Sequence, residues 1–167
     1  HLSGTDRVAE AAAAYPGYER VVNVQGDEPF IEPTHIDRAI ARLADAEIAT
    51  LVCPIRSEAE LRSPDVVKAV CDAEGRALYF SRLPIPFLRE GGEESFSRHA
   101  YLRHIGLYAF RREALLKAAG LPPAPLEQAE ALEQLRWLYH GLQIATALVD
   151  QPSPGIDRPE DLRRLGY

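Results

Sequence analysis

The chain has 167 residues, 46% hydrophobic and 26% charged, a balance that suits one globular domain with a core of its own. A net charge of -6 argues against non-specific binding to nucleic acid, and within these residues no signal sequence, lipidation motif or run of about 18 apolar residues points to membrane insertion. The two cysteines, Cys53 and Cys71, lie in separate apolar, strand-like runs and fit free thiols in a reducing cytoplasm.

In "SGTDRVAEAAAAY", Ser3 and Asp6 have capping-box spacing before an alanine-rich helix, which Pro16 and Gly17 stop. "RVVNV" (20–24) reads as a short strand. "PTHIDRAIARLADA" (33–46) repeats Ile36, Ile40 and Leu43 at helical spacing, and "IATLVCPI" (48–55) is a second strand. This order of helix, strand, helix, strand is that of a parallel sheet with helices packed on it. "VVKAVCDAEGRALYFSR" (66–82) reads as two strands around an Asp72–Gly75 turn, followed by a loop rich in Pro, Gly and Glu from Leu83 to about Ser97. "YLRHIGLYAF" (101–110) is another strand, and "RREALLKAAG" (111–120) a short helix. "PLEQAEALEQLRWLYHG" (125–141) predicts one amphipathic helix with Leu126, Ala129, Leu132, Leu135 and Leu138 as its buried stripe. "QIATALV" (143–149) is the last strand, and "QPSPGIDRPEDLRRLGY" (151–167) a loop with a closing helix.

The chemistry concentrates where "VVNVQGDEPFI" (21–31) breaks off. Ligands of open α/β sheets bind beyond the carboxyl ends of strands, and Gln25, Gly26, Asp27 and Glu28 stand at such an end. Gly26 allows the backbone to turn or approach a ligand closely. Asp27 suits either a Mg2+ ligand or a turn cap. Asp157, in "PGIDRPEDL", follows another strand and can N-cap the last helix. In a parallel arrangement both loops leave the same sheet edge. Two carboxylates there, without a Cys or His cluster, suit Mg2+ better than zinc.

Six segments taken in order resemble the 3-deoxy-manno-octulosonate (Kdo) cytidylyltransferases, or CMP-Kdo synthetases. They are "HLSGTDR", "VNVQGDEPFI", "VKAVCDAEGRALYFSRLPIPF", "RHIGLYAF", "PLEQAEALEQLR" and "PGIDRPEDL", and together they cover nearly the whole chain. The resemblance implies an α/β, Rossmann-like (GT-A-like) nucleotide-diphospho-sugar transferase fold: a mixed sheet with flanking helices. It implies an antiparallel, strand-rich segment over 72–110 for dimerisation and sugar binding. The implied activity joins CTP and the eight-carbon sugar acid Kdo into CMP-Kdo and pyrophosphate with Mg2+, for lipopolysaccharide synthesis. The implied partners are CTP, Kdo and a second copy of the chain.

The family's roles carry over to matching positions. Asp27 and Asp157 would hold Mg2+ and, with Arg82, form the catalytic set. Gln25 and Gly26 would meet the sugar, and Arg82 would fork onto its carboxylate. His104 and Tyr108, two strand pairs apart on one face, would line the sugar pocket. Glu133 and Gln134 would bind sugar hydroxyls. Ser3, Gly4, Thr5 and Arg7 would sit near the cytidine end of CTP. Each position also has a plainer structural use: a surface charge for Arg82, a hydrogen-bonded core histidine for His104, a solvated helix face for Glu133 and Gln134, a helix cap for Ser3 to Arg7.

The family opens with a strand and a basic loop that grips the CTP phosphates, whereas this chain opens at His1 inside "HLSGTDR". The expectation is therefore one domain over 1–167, incomplete at its N-terminus, lacking the first βα units. It would be poorly active alone, with the face for the missing strands exposed. The competing readings are a CMP-sialic acid synthetase-like cytidylyltransferase and an inactive binding or dimerisation module. A nucleic-acid-binding role is a distant third.

Overall fold

The computed structural model describes residues 3–26, 28–90 and 95–154. Its helices are α1 (Gly4–Ala14), α2 (Pro33–Ala41, continued by a 3-10 turn over Arg42–Ala44), α3 (Glu58–Arg62), α4 (Ser95–Arg98), α5 (Arg112–Ala119), α6 (Pro125–Glu130) and α7 (Gln134–Tyr139). Its strands are β1 (Arg20–Asn23), β2 (Ile48–Pro54), β3 (Lys68–Cys71), β4 (Ala77–Ser81), β5 (Leu102–Arg111) and β6 (Ile144–Leu148). The closing helix expected within 151–167 lies largely outside the described residues. Among those residues no helix is long and apolar enough to cross a membrane.

The described strands form one mixed sheet in the order β4-β3-β5-β2-β6, with β1 also paired to β5. β1, β2 and β3 all run antiparallel to β5, and β6 runs parallel to β2. Thus β1, β2 and β6 do point the same way, as the alternation of helix and strand suggests. The purely parallel pattern fails because β5 lies between β1 and β2. The sequence of β5 explains its place. Ile105, Leu107 and Ala109 pack with α2, while Tyr108 and Phe110 pack with α1, α5 and α7. A strand buried on both faces belongs inside a sheet covered by helices on both sides.

The capping box at α1 forms as expected: Asp6 N–H donates to Ser3 Oγ (3.1 Å) and Ser3 N–H to Asp6 Oδ2 (3.0 Å). The Asp72–Gly75 turn forms too, with Gly75 at φ +77° and Asp72 accepting from Arg76 N–H and Nε. The helix α3 went unpredicted, although Ser57 caps it by accepting from Glu60 N–H.

The expected single helix over 125–141 is two. It breaks at Ala131, which takes the left-handed conformation (φ 51°). Leu126 and Ala129 of the expected buried stripe are exposed, while Leu132 and Leu135 are buried and Leu138 packs against the core from a half-buried position. The reason is tertiary. The Glu130 carboxylate accepts from Ser81 Oγ (2.7 Å) and Arg82 N–H (2.9 Å), and the Arg82 guanidinium donates to the carbonyls of Glu130 (2.8 Å) and Ala131 (3.3 Å). These contacts satisfy carbonyls that a continuous helix would have used internally. They offset the cost of left-handed backbone at an alanine, which is about 1–2 kcal/mol.

Candidate active site

A fork in the sheet defines the site. β1 pairs with β5 over Tyr108 to Arg111, and β3 pairs with it only at Leu102 and Arg103. His104 N–H still donates to Val67 O (2.8 Å), but from Ile105 to Leu107 the β5 edge carries no strand on that side among the described residues. The chain leaving β1 turns at this gap, where Glu28 N–H donates to Gln25 O (3.1 Å). Gln25 Nε2 lies 3.9 Å from where a β-carbon on Gly106 would sit. The absent side chain thus leaves open the space beside Gln25. Gly26, next in the turn, is exposed.

His104 and Tyr108 share the predicted face, with ring centroids 5.3 Å apart, and Phe80 meets the imidazole edge-on at 5.0 Å. His104 Nε2 is 2.9 Å from Thr50 Oγ1, which is 2.8 Å from Leu107 O and 3.1 Å from Ile105 O. Those two carbonyls flank a bulge, since Leu51 pairs with Ile105 while Thr50 pairs with Tyr108. A hydroxyl has one hydrogen, and a carbonyl can only accept. Thr50 therefore donates to a carbonyl and accepts from His104, which places the imidazole proton on Nε2 and leaves Nδ1 as an acceptor.

Burial first, then the Arg103 charge, pushes the His104 pKa down to about 3. Burial, then Glu133, raises that of Tyr108. Near neutrality, then, both rings line the fork uncharged. Below pH about 6.5 an unfolded chain binds a proton on this histidine that the folded chain refuses. The stability contributed by the neutral ring is complete above that pH and is lost as pH falls toward about 3. We expect His104→Gln to flatten the acid-side decline in urea-unfolding midpoints between about pH 6.5 and 4, by at most about 1.4 kcal/mol per pH unit. An unchanged slope would show that this histidine is protonated in the folded state.

Arg82, Glu133 and Gln134 meet at the break between α6 and α7. Three Arg82 N–H groups are engaged with carbonyls, of Pro64 (2.9 Å), Glu130 and Ala131. Gln134 is buried, and Glu133 Oε2 accepts from Thr5 Oγ1 (3.0 Å). This last bond ties the start of α1 to the corner. Of the other residues expected near the nucleotide, Ser3 is engaged in its cap, while Gly4 and Arg7 are exposed. Arg7 lines a groove of about 590 Å3 that it shares with Tyr15, Tyr18, Val21, Val24 and Arg112. The groove follows the edge of β1 opposite β5, an edge without a partner strand among the described residues.

Asp27 and Asp157 lie outside the described residues. The loops that carry them do meet at described positions. β1 and β6 run in one direction, so their carboxyl ends leave the same sheet edge. Ser153, beyond β6, accepts from Glu32 N–H (3.1 Å), and its Oγ is 3.2 Å from His35 Nδ1 in the segment after β1. Among the described residues no group of three or more His, Cys, Asp and Glu side chains comes together to hold a metal.

Thr50 escaped the sequence reading. Its signal was present: one hydroxyl inside the fully buried run Ile48–Cys53 needs a partner.

Comparison with known proteins places these features in context. A family profile described as "Cytidylyltransferase" matches residues 1–144. The 3-deoxy-manno-octulosonate cytidylyltransferase of Marinomonas sp. (strain MWYL1) is 46% identical over 180 residues, covering 100% of this chain and 68% of the relative. That of Geobacter sulfurreducens is 48% identical over 174 residues, covering 99% and 69%. That of Polynucleobacter necessarius is 47% identical over 171 residues, covering 99% and 66%. A solved structure of CMP:2-keto-3-deoxy-manno-octonic acid synthetase complexed with CTP superposes with a TM-score of 0.89 at 39% identity, covering 99% of this chain and 67% of that one. The chain therefore spans about two thirds of the length of these relatives.

Proposed function

The chain belongs to the cytidylyltransferase family, among the 3-deoxy-manno-octulosonate cytidylyltransferases, and on that premise we propose that its protein activates Kdo with CTP to give CMP-Kdo and pyrophosphate. The observation that carries the reading is the fork on β5. It gathers Gln25, Gly106, His104 and Tyr108 at a strand end, within a fold shared with a CTP-bound synthetase.

In the reaction the anomeric hydroxyl of Kdo attacks the α-phosphorus of CTP. The new O–P bond forms as the bond to the β-phosphate oxygen breaks, with loss of the hydroxyl proton and release of pyrophosphate. Positioning and charge neutralisation dominate such transfers. Asp27 and Asp157 would hold Mg2+, which when bound neutralises phosphate charge and favours ionisation of the attacking hydroxyl. Arg82 has five N–H groups and three face carbonyls, so the rest of its fork can meet the Kdo carboxylate without the side chain having to be ordered first. His104 Nδ1 offers a neutral acceptor to a sugar hydroxyl, and Gln25, Glu133 and Gln134 provide further polar contacts. The start of α1, Ser3 to Arg7, faces the cytidine end.

A second copy of the chain would dock on the segment within 72–110. Leu78, Leu83 and Phe87 are large apolar side chains left 61%, 70% and 86% exposed there, more than a monomer surface needs. The two free thiols fit a cytoplasmic setting, with Cys53 buried and Cys71 half-buried.

The direct test supplies CTP, Mg2+ and either Kdo or sialic acid to the protein expressed from its complete reading frame, and measures pyrophosphate. Kdo-dependent release is expected. Release with sialic acid alone, or with neither acceptor, would overturn the assignment.

A further inference from the structure

Lys68 on β3 is 0% exposed, a rare condition for a lysine. Its ammonium donates to three backbone carbonyls: Ser63 (2.9 Å), Val66 (2.7 Å) and Arg82. That uses all three of its N–H groups. Ser63 and Val66 belong to the turn entering β3, and Arg82 follows the end of β4. The Arg82 guanidinium returns to the same turn at Pro64 O and reaches across to the carbonyls of Glu130 and Ala131. The Glu130 carboxylate closes the circuit by accepting from Ser81 Oγ and Arg82 N–H. Two cations and one carboxylate thus hold together the turn before β3, the end of β4 and the left-handed corner at Ala131.

A methionine would fill nearly the volume of Lys68 without the cost of desolvating a charge. It could not gather three carbonyls at one point. Burial and the neighbouring Arg82 charge disfavour the ammonium, and Glu130 favours it.

We propose that Lys68, together with Glu130, is a positioning residue for the sugar-acid half of the site: it fixes Arg82, and through Arg82 the corner that presents Glu133 and Gln134. This rests on the sugar-acid reading of that corner given above. Neither residue need touch the substrate. Their effect should fall on the sugar acid and spare the nucleotide.

The test compares Lys68→Met and Glu130→Gln with wild type, expressed from the complete reading frame, varying Kdo and CTP independently. The KM for Kdo is expected to rise about tenfold, equivalent to roughly 1.4 kcal/mol, while that for CTP stays within about twofold. Equal rises for both substrates, or a lowered Tm with both KM values unchanged, would overturn the proposal, since a merely structural role predicts either. Should Lys68→Met fail to fold, Glu130→Gln decides alone, because it keeps the side-chain volume and places an amide N–H2 where an acceptor is needed. Should wild type turn over no Kdo at all, the reaction assigned above fails by itself. The positioning role is then read from the 167-residue chain, whose one tryptophan, Trp137, lies on α7 beside the corner. A red-shifted Trp137 emission in Glu130→Gln at unchanged Tm supports it, and unchanged emission, or a shift that comes only with a lowered Tm, overturns it.

Discussion

Replacing Trp137 with alanine is expected to destabilise the fold by roughly 3–5 kcal/mol, the range for emptying a large aromatic site. The side chain is 1% exposed and meets Tyr108 and Phe110 edge-on at 5.0 and 5.4 Å. It locks α7 onto β5 directly behind the fork. With total stabilities of about 5–15 kcal/mol, such a loss leaves a chain near its unfolding threshold. Trp137→Phe should be far milder. Among the described residues the buried indole Nε1 has no hydrogen-bond partner, so on these contacts its removal breaks no bond and lifts a desolvation cost, while a phenyl ring preserves much of the edge contact. Urea-unfolding midpoints of the two variants measure this directly. Equal losses for phenylalanine and alanine would mean that the indole nitrogen contributes a bond of its own.

The second large effect is on turnover. Asp27→Asn is expected to lower the rate of CMP-Kdo formation by at least about a hundredfold, in line with the several kcal/mol that a metal's charge contributes to a phosphoryl transition state. Asparagine supports a tight turn as well as aspartate does, because its side-chain oxygen still accepts from the backbone. The variant therefore removes the charge and leaves the turn. Its Tm should match wild type without Mg2+, and the rise in Tm expected of wild type on adding Mg2+ should be absent from the variant. An active Asp27→Asn with undiminished Mg2+ response would reduce Asp27 to a turn residue.

How far the sequence reaches depends on the range of the forces involved. The α1 capping box is legible because both bonds lie within four residues. The shared face of His104 and Tyr108 follows from strand parity alone, and it survives the bulge opposite Thr50. The left-handed turn at Ala131 could not be read. Neither glycine nor asparagine marks it, and a continuous apolar stripe would have bridged it. What breaks the helix comes from Arg82, 48 and 49 positions away. The insertion of β5 between β1 and β2 is equally non-local. Only its apolar run announces a central strand, without naming its neighbours. At the site, the shared face of His104 and Tyr108 and the cap at Ser3 were visible, but the Thr50 relay and the Lys68 anchor were not, since both depend on carbonyls that no motif displays.

The bond between Thr5 and Glu133 spans 128 positions. Contacts so distant in sequence form late, after the local hairpin and helices that reduce the entropy of closing the loop. The two halves of the pocket are therefore expected to join near the end of folding, on the native side of the barrier. Weakening that contact should hasten unfolding while leaving the folding rate almost unchanged. A chain that has reached most of its secondary structure would still lack a complete pocket.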